Sequence, residues 1–222
     1  MAGLSSESHS VPCALLAAGL SRRMGGPNKL LEDLHGHPVL AHSVAAALEA
    51  DIGPVWVIVG HEAESVRAAL AAYPVQIVDN PDHGQGLSTS IHAAMALVPA
   101  DSLGLMIHLG DMPLVRAATI RAIYNEFCRA KAGLKAAGII AARPMAAGRA
   151  GNPVLCGAAM FDDLRRLEGD QGAGALLRSK PDALLQVAVD DPAIHWDVDD
   201  PEALRRAWMT MDQMERERKA PG

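Results

Sequence analysis

The chain alternates short apolar runs with segments whose apolar positions recur every three or four residues. Residues 11–17 (VPCALLA) are apolar without alternation, which predicts a strand buried on both faces. That strand opens onto a Gly- and Arg-rich loop over 18–29, followed by a helix over 39–48. Val55–Val59 predicts a second buried strand, 62–72 a second helix and 75–78 a short third strand. A loop over 79–87 leads into a helix over 88–97, and 103–109 (LGLMIHL) is the next strand, running into Gly110-Asp111-Met112-Pro113. Ile120, Ile123, Tyr124 and Phe127 stand at i, i+3, i+4 and i+7 and mark the apolar face of a further helix. Short strands follow at 139–141, 154–155 and 184–189. Asp200 as N-cap and Pro201 in the first turn start a last helix, with Leu204, Ala207, Trp208 and Met211 on its apolar face.

Buried strands alternating with helices predict an α/β protein: a Rossmann-like, mostly parallel sheet between two helical layers, a three-layer αβα arrangement. The stretch 142–155 breaks the alternation and predicts an antiparallel insert, so the sheet is expected to be mixed. No internal linker interrupts the 222 residues, which predicts a single domain over 11–210 with flexible termini at 1–10 and 214–222. The charge run 215–219 reads as a solvated helix end.

Composition narrows the function classes. With 50% hydrophobic and 21% charged residues, the chain buries a sizeable core and is not globally disordered. Aromatic residues make up only 3% and the net charge is −6, which argues against a nucleic-acid partner while leaving room for a local cationic site. Cys13, Cys128 and Cys156 form no CxxC pair, the N-terminal residues lack a signal-peptide pattern, and the longest apolar run, 13–18, is too short to span a membrane. A soluble cytoplasmic protein with no membrane partner is the expectation.

In an open α/β sheet, ligands bind at the carboxyl ends of the strands. Four segments should therefore converge there: 18–29, 80–90, 110–113 and the stretch around Asp197. In the first, small residues allow close backbone approach to a ligand, and Arg23 and Lys29 add positive charge suited to a triphosphate. Neither a Walker A loop nor a GxGxxG fingerprint fits, and an ordinary Gly-rich turn with two solvated cations is the competing reading. Asp111, directly after a buried strand, is placed to hold a hard divalent cation, with a turn-forming Asp as the alternative. Asp197 and Asp199 alternate, so both face one side of an extended segment and either is placed to complete the metal site, while helix capping also accounts for Asp199. Ser88 and Ser90, following Gly86, either cap the helix or bind a base or phosphate at its N-terminus. The histidines lack zinc-ligand spacing, and no GxSxG elbow occurs, which sets aside zinc and serine-hydrolase chemistry.

In combination, LAAGLSRRMGGPNKLL (16–31), GQGLSTSI (84–91), GDMP (110–113), GNPVL (151–155), GDQGAG (169–174) and DVDDPE (197–202) resemble the MobA-like nucleotidyltransferase family, specifically its molybdenum cofactor cytidylyltransferase branch. The likeness runs from about residue 11 to 208. Guanylyl-transferring members tend to carry a second Gly where Ala18 stands and a Gly-Pro-rich segment where 87–90 stands, and this chain is similar to the cytidylyl type on both counts. Asn28 departs from the acidic residue common before the Lys, and Gly174 from an Arg that often follows Gly-Ala.

The resemblance implies a sheet of the nucleotide-diphospho-sugar transferase type. It further implies that the phosphate of a molybdenum-pterin cofactor attacks the α-phosphorus of CTP and releases pyrophosphate. Arg23, Lys29 and Asp111 would be the catalytic set, with Mg2+, or Mn2+ in its place, on Asp111 and on Asp197 or Asp199. Leu16, Ala17, Ala18, Gly19, Gly86, Ser88 and Ser90 would bind the nucleotide, and Gly151, Asn152 and Pro153 would line the acceptor side. A client molybdoenzyme is the implied protein partner. A GTP- or ATP-using relative, a sugar-phosphate nucleotidylyltransferase and a noncatalytic cofactor carrier are the rival readings.

Overall fold

The computed structural model describes residues 10–19, 28–132 and 138–219. In chain order its elements are β1 (Cys13–Ala17), the two-residue strands β2 (Asp33–Leu34) and β3 (His37–Pro38), α1 (Val39–Ala50), β4 (Val55–Val59), α2 (Ala63–Ala69), β5 (Gln76–Asp79), α3 (Leu87–Met95) and β6 (Gly104–Leu109). There follow α4 (Ala117–Ala132), β7 (Ala141–Ala146), β8 (Arg149–Ala150), β9 (Val154–Gly157), α5 (Phe161–Arg165), α6 (Ala173–Ser179), β10 (Leu184–Ala188) and α7 (Pro201–Lys219).

Seven strands lie side by side in the order β10-β7-β9-β6-β1-β4-β5, and β8 adds to β7. Along this row β9 alone runs against its neighbours β6 and β7, and the other pairs are parallel. The parallel strands therefore end at one edge, with the mixed character confined to the predicted insert. Alternate residues of each strand face opposite sides. Cys13, Leu15 and Ala17 join a core with side chains of α1, α2, α4 and α7. Ala14 and Leu16 join a second core with α3, α5 and α6. Fully burying each large aliphatic side chain in these layers contributes about 1.5–3 kcal/mol.

Three differences from the sequence pattern have physical causes. Strand β7 continues to Ala146, through Arg143 and Pro144, which broke the apolar run, because residues 141–145 pair with Leu184–Ala188 of β10 and Ala146 with Arg149 of β8. Trp208 is 42% exposed rather than packed inside: its ring stacks on His35 at 3.8 Å, at the turn between β2 and β3. Helix α7 runs on to Lys219, past the predicted fraying at 214, supported by an Arg216–Asp212 ion pair and a Gln213–Glu217 hydrogen bond, both at i,i+4. Residues 1–9 and 220–222 lie outside the described residues. No helix among the described residues is long and apolar enough to cross a membrane.

Candidate active site

A cleft of about 500 Å³ opens at the carboxyl edge of the sheet, above β1 and β6. Beyond β1 the chain passes through buried Ala18 to exposed Gly19. Leu16, Ala18 and Gly19 line the cleft. Ala17 does not, because strand alternation sends its side chain into the opposite core. Arg23 lies outside the described residues.

Lys29 sits on a 3-10 turn, Lys29–Leu31, whose first amides need a cap. Asn28 Oδ1 supplies it, accepting from Leu30 N at 3.1 Å, so the departure from an acidic residue leaves the turn intact. Leu30, packed in the core, fixes the turn from below. Lys29 Nζ then reaches Asp111 Oδ2 at 2.5 Å and also donates to Asp199 Oδ1.

Asp111 follows β6 through Gly110, whose backbone is held at both ends. Its N–H donates to Leu16 O at 3.0 Å, and its carbonyl accepts from Ser43 Oγ at 3.1 Å. A Cβ at Gly110 would meet Leu40 Cδ1 at 2.7 Å and the Leu16 carbonyl oxygen at 3.1 Å, so a side chain there would crowd the turn that aims Asp111. Asp111 also receives the third segment: Val198 N donates to its carbonyl oxygen at 2.8 Å. With Val198 buried, Asp197 and Asp199 alternate to the outside, as the sequence predicted. One carboxylate oxygen each from Asp111, Asp197 and Asp199 lies within 4.8 Å of the others. Capping falls instead to Asp200, whose Oδ1 accepts from Ala203 N at 2.7 Å.

The acid-bearing segment is anchored upstream by Asp191. This buried carboxylate accepts from Thr119 Oγ1 at 2.5 Å, Arg116 N at 3.1 Å and Ala193 N at 3.3 Å. The predicted acceptor residues Gly151, Asn152 and Pro153 stand just before β9, at the carboxyl end of β6, yet do not line this cleft. The reason lies in their backbone: Asn152 N donates to Ile194 O at 2.9 Å and Gly151 N to Pro144 O at 3.0 Å, tying the turn down beneath the same segment.

Electrostatics follow from this crowding. Burial pushes the Lys29 ammonium down, but the charges of Asp111 and Asp199 and the hydrogen bonds to them outweigh it, holding its pKa above the usual lysine value. Burial pushes the Asp111 carboxyl up, Lys29 opposes, and Asp197 and Asp199 reinforce the rise. Asp111 Oδ1 is buried and has no hydrogen-bond partner among the described residues. Three hard oxygen donors with one orphaned lone-pair set suit a divalent cation.

The facing wall comes from His83, Gly84, Gln85, Gly86 and Leu87, with Ser90 and Asp170. Helix α3 has no side-chain cap: Ser88 N donates to Gly169 O at 3.0 Å, and Ser88 itself is buried beneath the wall. Ser90 Oγ lines the cleft and accepts from Asn80 Nδ2 at 3.1 Å. Asp170, Gln85 and His83 were not singled out from the sequence. Asp170 lies inside the GDQGAG motif, but its place in the cleft depends on a loop folding back over α3, which no local pattern encodes.

Residues 13–194 match the MobA-like NTP transferase domain. The chain belongs to this family. The bifunctional protein GlmU of Stenotrophomonas maltophilia (strain R551-3) is 36% identical over 108 residues, covering 48% of this chain and 24% of that protein. The chain thus spans about a quarter of the length of the curated relatives it matches. Among solved structures, Rv0371c of Mycobacterium tuberculosis H37Rv is similar at 28% identity and a TM-score of 0.77, over 91% of this chain and 99% of that one. Its complex with manganese aligns at 27% identity and a TM-score of 0.74, over 90% and 99%. The architecture of this MobA-like chain is a three-layer α/β fold with a mostly parallel mixed sheet of the nucleotide-diphospho-sugar transferase type.

Proposed function

We propose that this MobA-like chain transfers CMP from CTP to the terminal phosphate of a molybdenum-pterin cofactor and releases pyrophosphate. One observation carries the reading: Lys29 and the carboxylates of Asp111, Asp197 and Asp199 converge beside a cleft whose floor is the small-residue end of β1. In this transfer an acceptor phosphate oxygen bonds to the α-phosphorus, and the bond to the β-phosphate breaks. The protein's part is positioning and charge neutralisation.

Lys29 is held charged by its two acids and neutralises the triphosphate, with Arg23 proposed to act beside it. Asp111, Asp197 and Asp199 would hold Mg2+ or Mn2+, which when bound offsets negative charge on the phosphate oxygens. The backbone at Leu16, Ala18 and Gly19, with Gly86 and Ser90 opposite, receives ribose and base. Ala18 and the 87–90 segment favour cytosine over guanine, on the resemblance described above. Gly151, Asn152 and Pro153 belong to the acceptor side, beyond β6. The product then passes to a client molybdoenzyme in the cytoplasm.

The test incubates purified protein with Mg2+, each nucleoside triphosphate in turn and molybdenum-loaded pterin cofactor, and identifies the product by mass. A cytidine dinucleotide with equimolar pyrophosphate is expected. A guanine or adenine product overturns the base assignment, transfer to a sugar phosphate overturns the acceptor, and stoichiometric binding without pyrophosphate indicates a carrier.

A further inference from the structure

The wall opposite Lys29 is held by a side chain that does not itself line the cleft. Asn80 directly follows β5 and is buried, and its N–H donates to Val59 O at 2.8 Å, at the carboxyl end of β4. Its Oδ1 accepts from Asp82 N at 3.0 Å. A backbone N–H can only donate, so this bond fixes which end of the amide is oxygen and which is nitrogen. Both protons of Nδ2 are then committed to α3: one to Thr89 Oγ1 at 2.9 Å, the other to Ser90 Oγ at 3.1 Å.

The two hydroxyls differ in what they do with their own protons. Thr89 Oγ1 donates to Gly86 O at 2.8 Å, which completes its bonding within the helix turn. Ser90 Oγ receives a proton from Asn80, and its own proton meets no acceptor among the described residues. Ser90 is buried except where it borders the cleft. A hydroxyl so nearly enclosed needs a partner, and an acceptor brought by a ligand supplies one.

We infer that Asn80 is a positioning residue that sets the Ser90 hydroxyl as a hydrogen-bond donor into the cleft, where it selects a nucleotide base presenting an acceptor. In cytosine, O2 and N3 are such atoms. The N1–H and N2–H groups of guanine would meet the hydroxyl donor to donor and leave its proton unpaired. Placing a base beside Ser90 rests on the nucleotidyl-transfer reading; the polarity of the hydroxyl does not. Asn80→Asp inverts that polarity with almost no change of shape. A carboxylate still accepts from Asp82 N, and the backbone carbonyl still accepts from His83 N at 3.3 Å and His83 Nδ1 at 3.1 Å. It has no proton to give Ser90, so the hydroxyl donates to it and turns a lone pair to the cleft.

Calorimetric titration of the full chain with Mg2+, without an acceptor substrate, compares CTP with ribose 5-triphosphate, which has no base. Ser90→Ala should weaken CTP about tenfold and ribose 5-triphosphate less than about twofold. Asn80→Asp should weaken CTP to a similar extent. Adding Ser90→Ala to Asp at that position should then cost less than about twofold more, because the donor is already lost. The polarity is also read with Asn80 in place, which covers the case that Asn80→Asp does not fold. Of two CTP analogues, one lacking O2 and one with C–H in place of N3, one should bind native protein about tenfold more weakly than CTP, and Ser90→Ala should abolish that difference. Equal weakening of CTP and ribose 5-triphosphate, the same cost of Ser90→Ala in both Asn80 backgrounds, or native binding of both analogues at the affinity of CTP overturns the inference. Tighter binding of another nucleoside triphosphate defeats the cytosine assignment, while the same variants titrated with that nucleotide still decide whether Ser90 donates to its base.

Discussion

The two walls of the cleft are built in opposite ways. On the α1 and α4 side, four charged side chains from three distant segments meet, and Lys29 touches two of the acids. On the α3 and α6 side the close contacts are between backbones. Gly86 adopts φ +119° and has no room for a Cβ, since Gly169 C and O would stand 2.3 and 2.4 Å from it, and Gly169 O caps Ser88 N. One wall is dominated by charge and the other, although it also carries Asp170 and His83, by the close fit of two backbones. On the proposed function the first would face the phosphates and a divalent cation, and the second the base and ribose.

The comparison is broken most severely by removing charge without changing shape. Asp111→Asn keeps the carbonyl-like outline, its carbonyl's bond from Val198 N and the preceding Gly110 N bond to Leu16 O, but deprives the cluster of its most buried acid. Pyrophosphate release at saturating Mg2+ should fall about 10²–10³-fold, while thermal unfolding stays close to native. Near-native turnover would mean that the charged wall is a structural salt-bridge cluster and nothing more.

A substitution on the other wall should act through stability and fit. Gly86→Ala forces a side chain into a backbone conformation that L residues avoid and against the Gly169 carbonyl. A loss of about 1–3 kcal/mol in urea unfolding is expected, together with weaker nucleotide binding and unchanged Mn2+ binding, followed by electron paramagnetic resonance. If Mn2+ affinity falls in step with nucleotide affinity, the two walls are one cooperative unit and the division between them fails.

That division also explains what could be read from the sequence. The strands β1, β4 and β6 are legible as continuous apolar runs, since each is covered on both faces. The charged wall was legible as well, because Asp111 directly follows a strand and Asp197 and Asp199 alternate, so position along the chain already dictates direction. The glycine wall was not. Its design resides in the closeness of two backbones 83 residues apart, Gly86 and Gly169, and a glycine in a loop does not announce which other loop it admits. Asp170 and Gln85 went unnoticed for the same reason. Ser88, whose side chain invited a ligand role, contributes its amide to the wall and turns its hydroxyl inward. Gly151 and Asn152 likewise act through backbone bonds to Pro144 and Ile194, which residue type does not reveal.

The finest test separates the walls within a single ligand. Lys29→Ala removes the ammonium, only 12% exposed, that lies between Asp111 and Asp199, and leaves the glycine wall untouched. If charge and shape are divided as described, affinity for CTP should fall about tenfold, while affinity for cytidine, which carries no phosphate, stays at the native value in the same calorimetric titration. Loss of the ammonium also leaves two neighbouring carboxylates without their shared counter-charge, so added Mg2+ should raise the thermal stability of the variant more than that of native protein. Equal weakening of CTP and cytidine would mean that Lys29 shapes the whole cleft rather than its phosphate end, and the contrast between the walls would lose its chemical meaning.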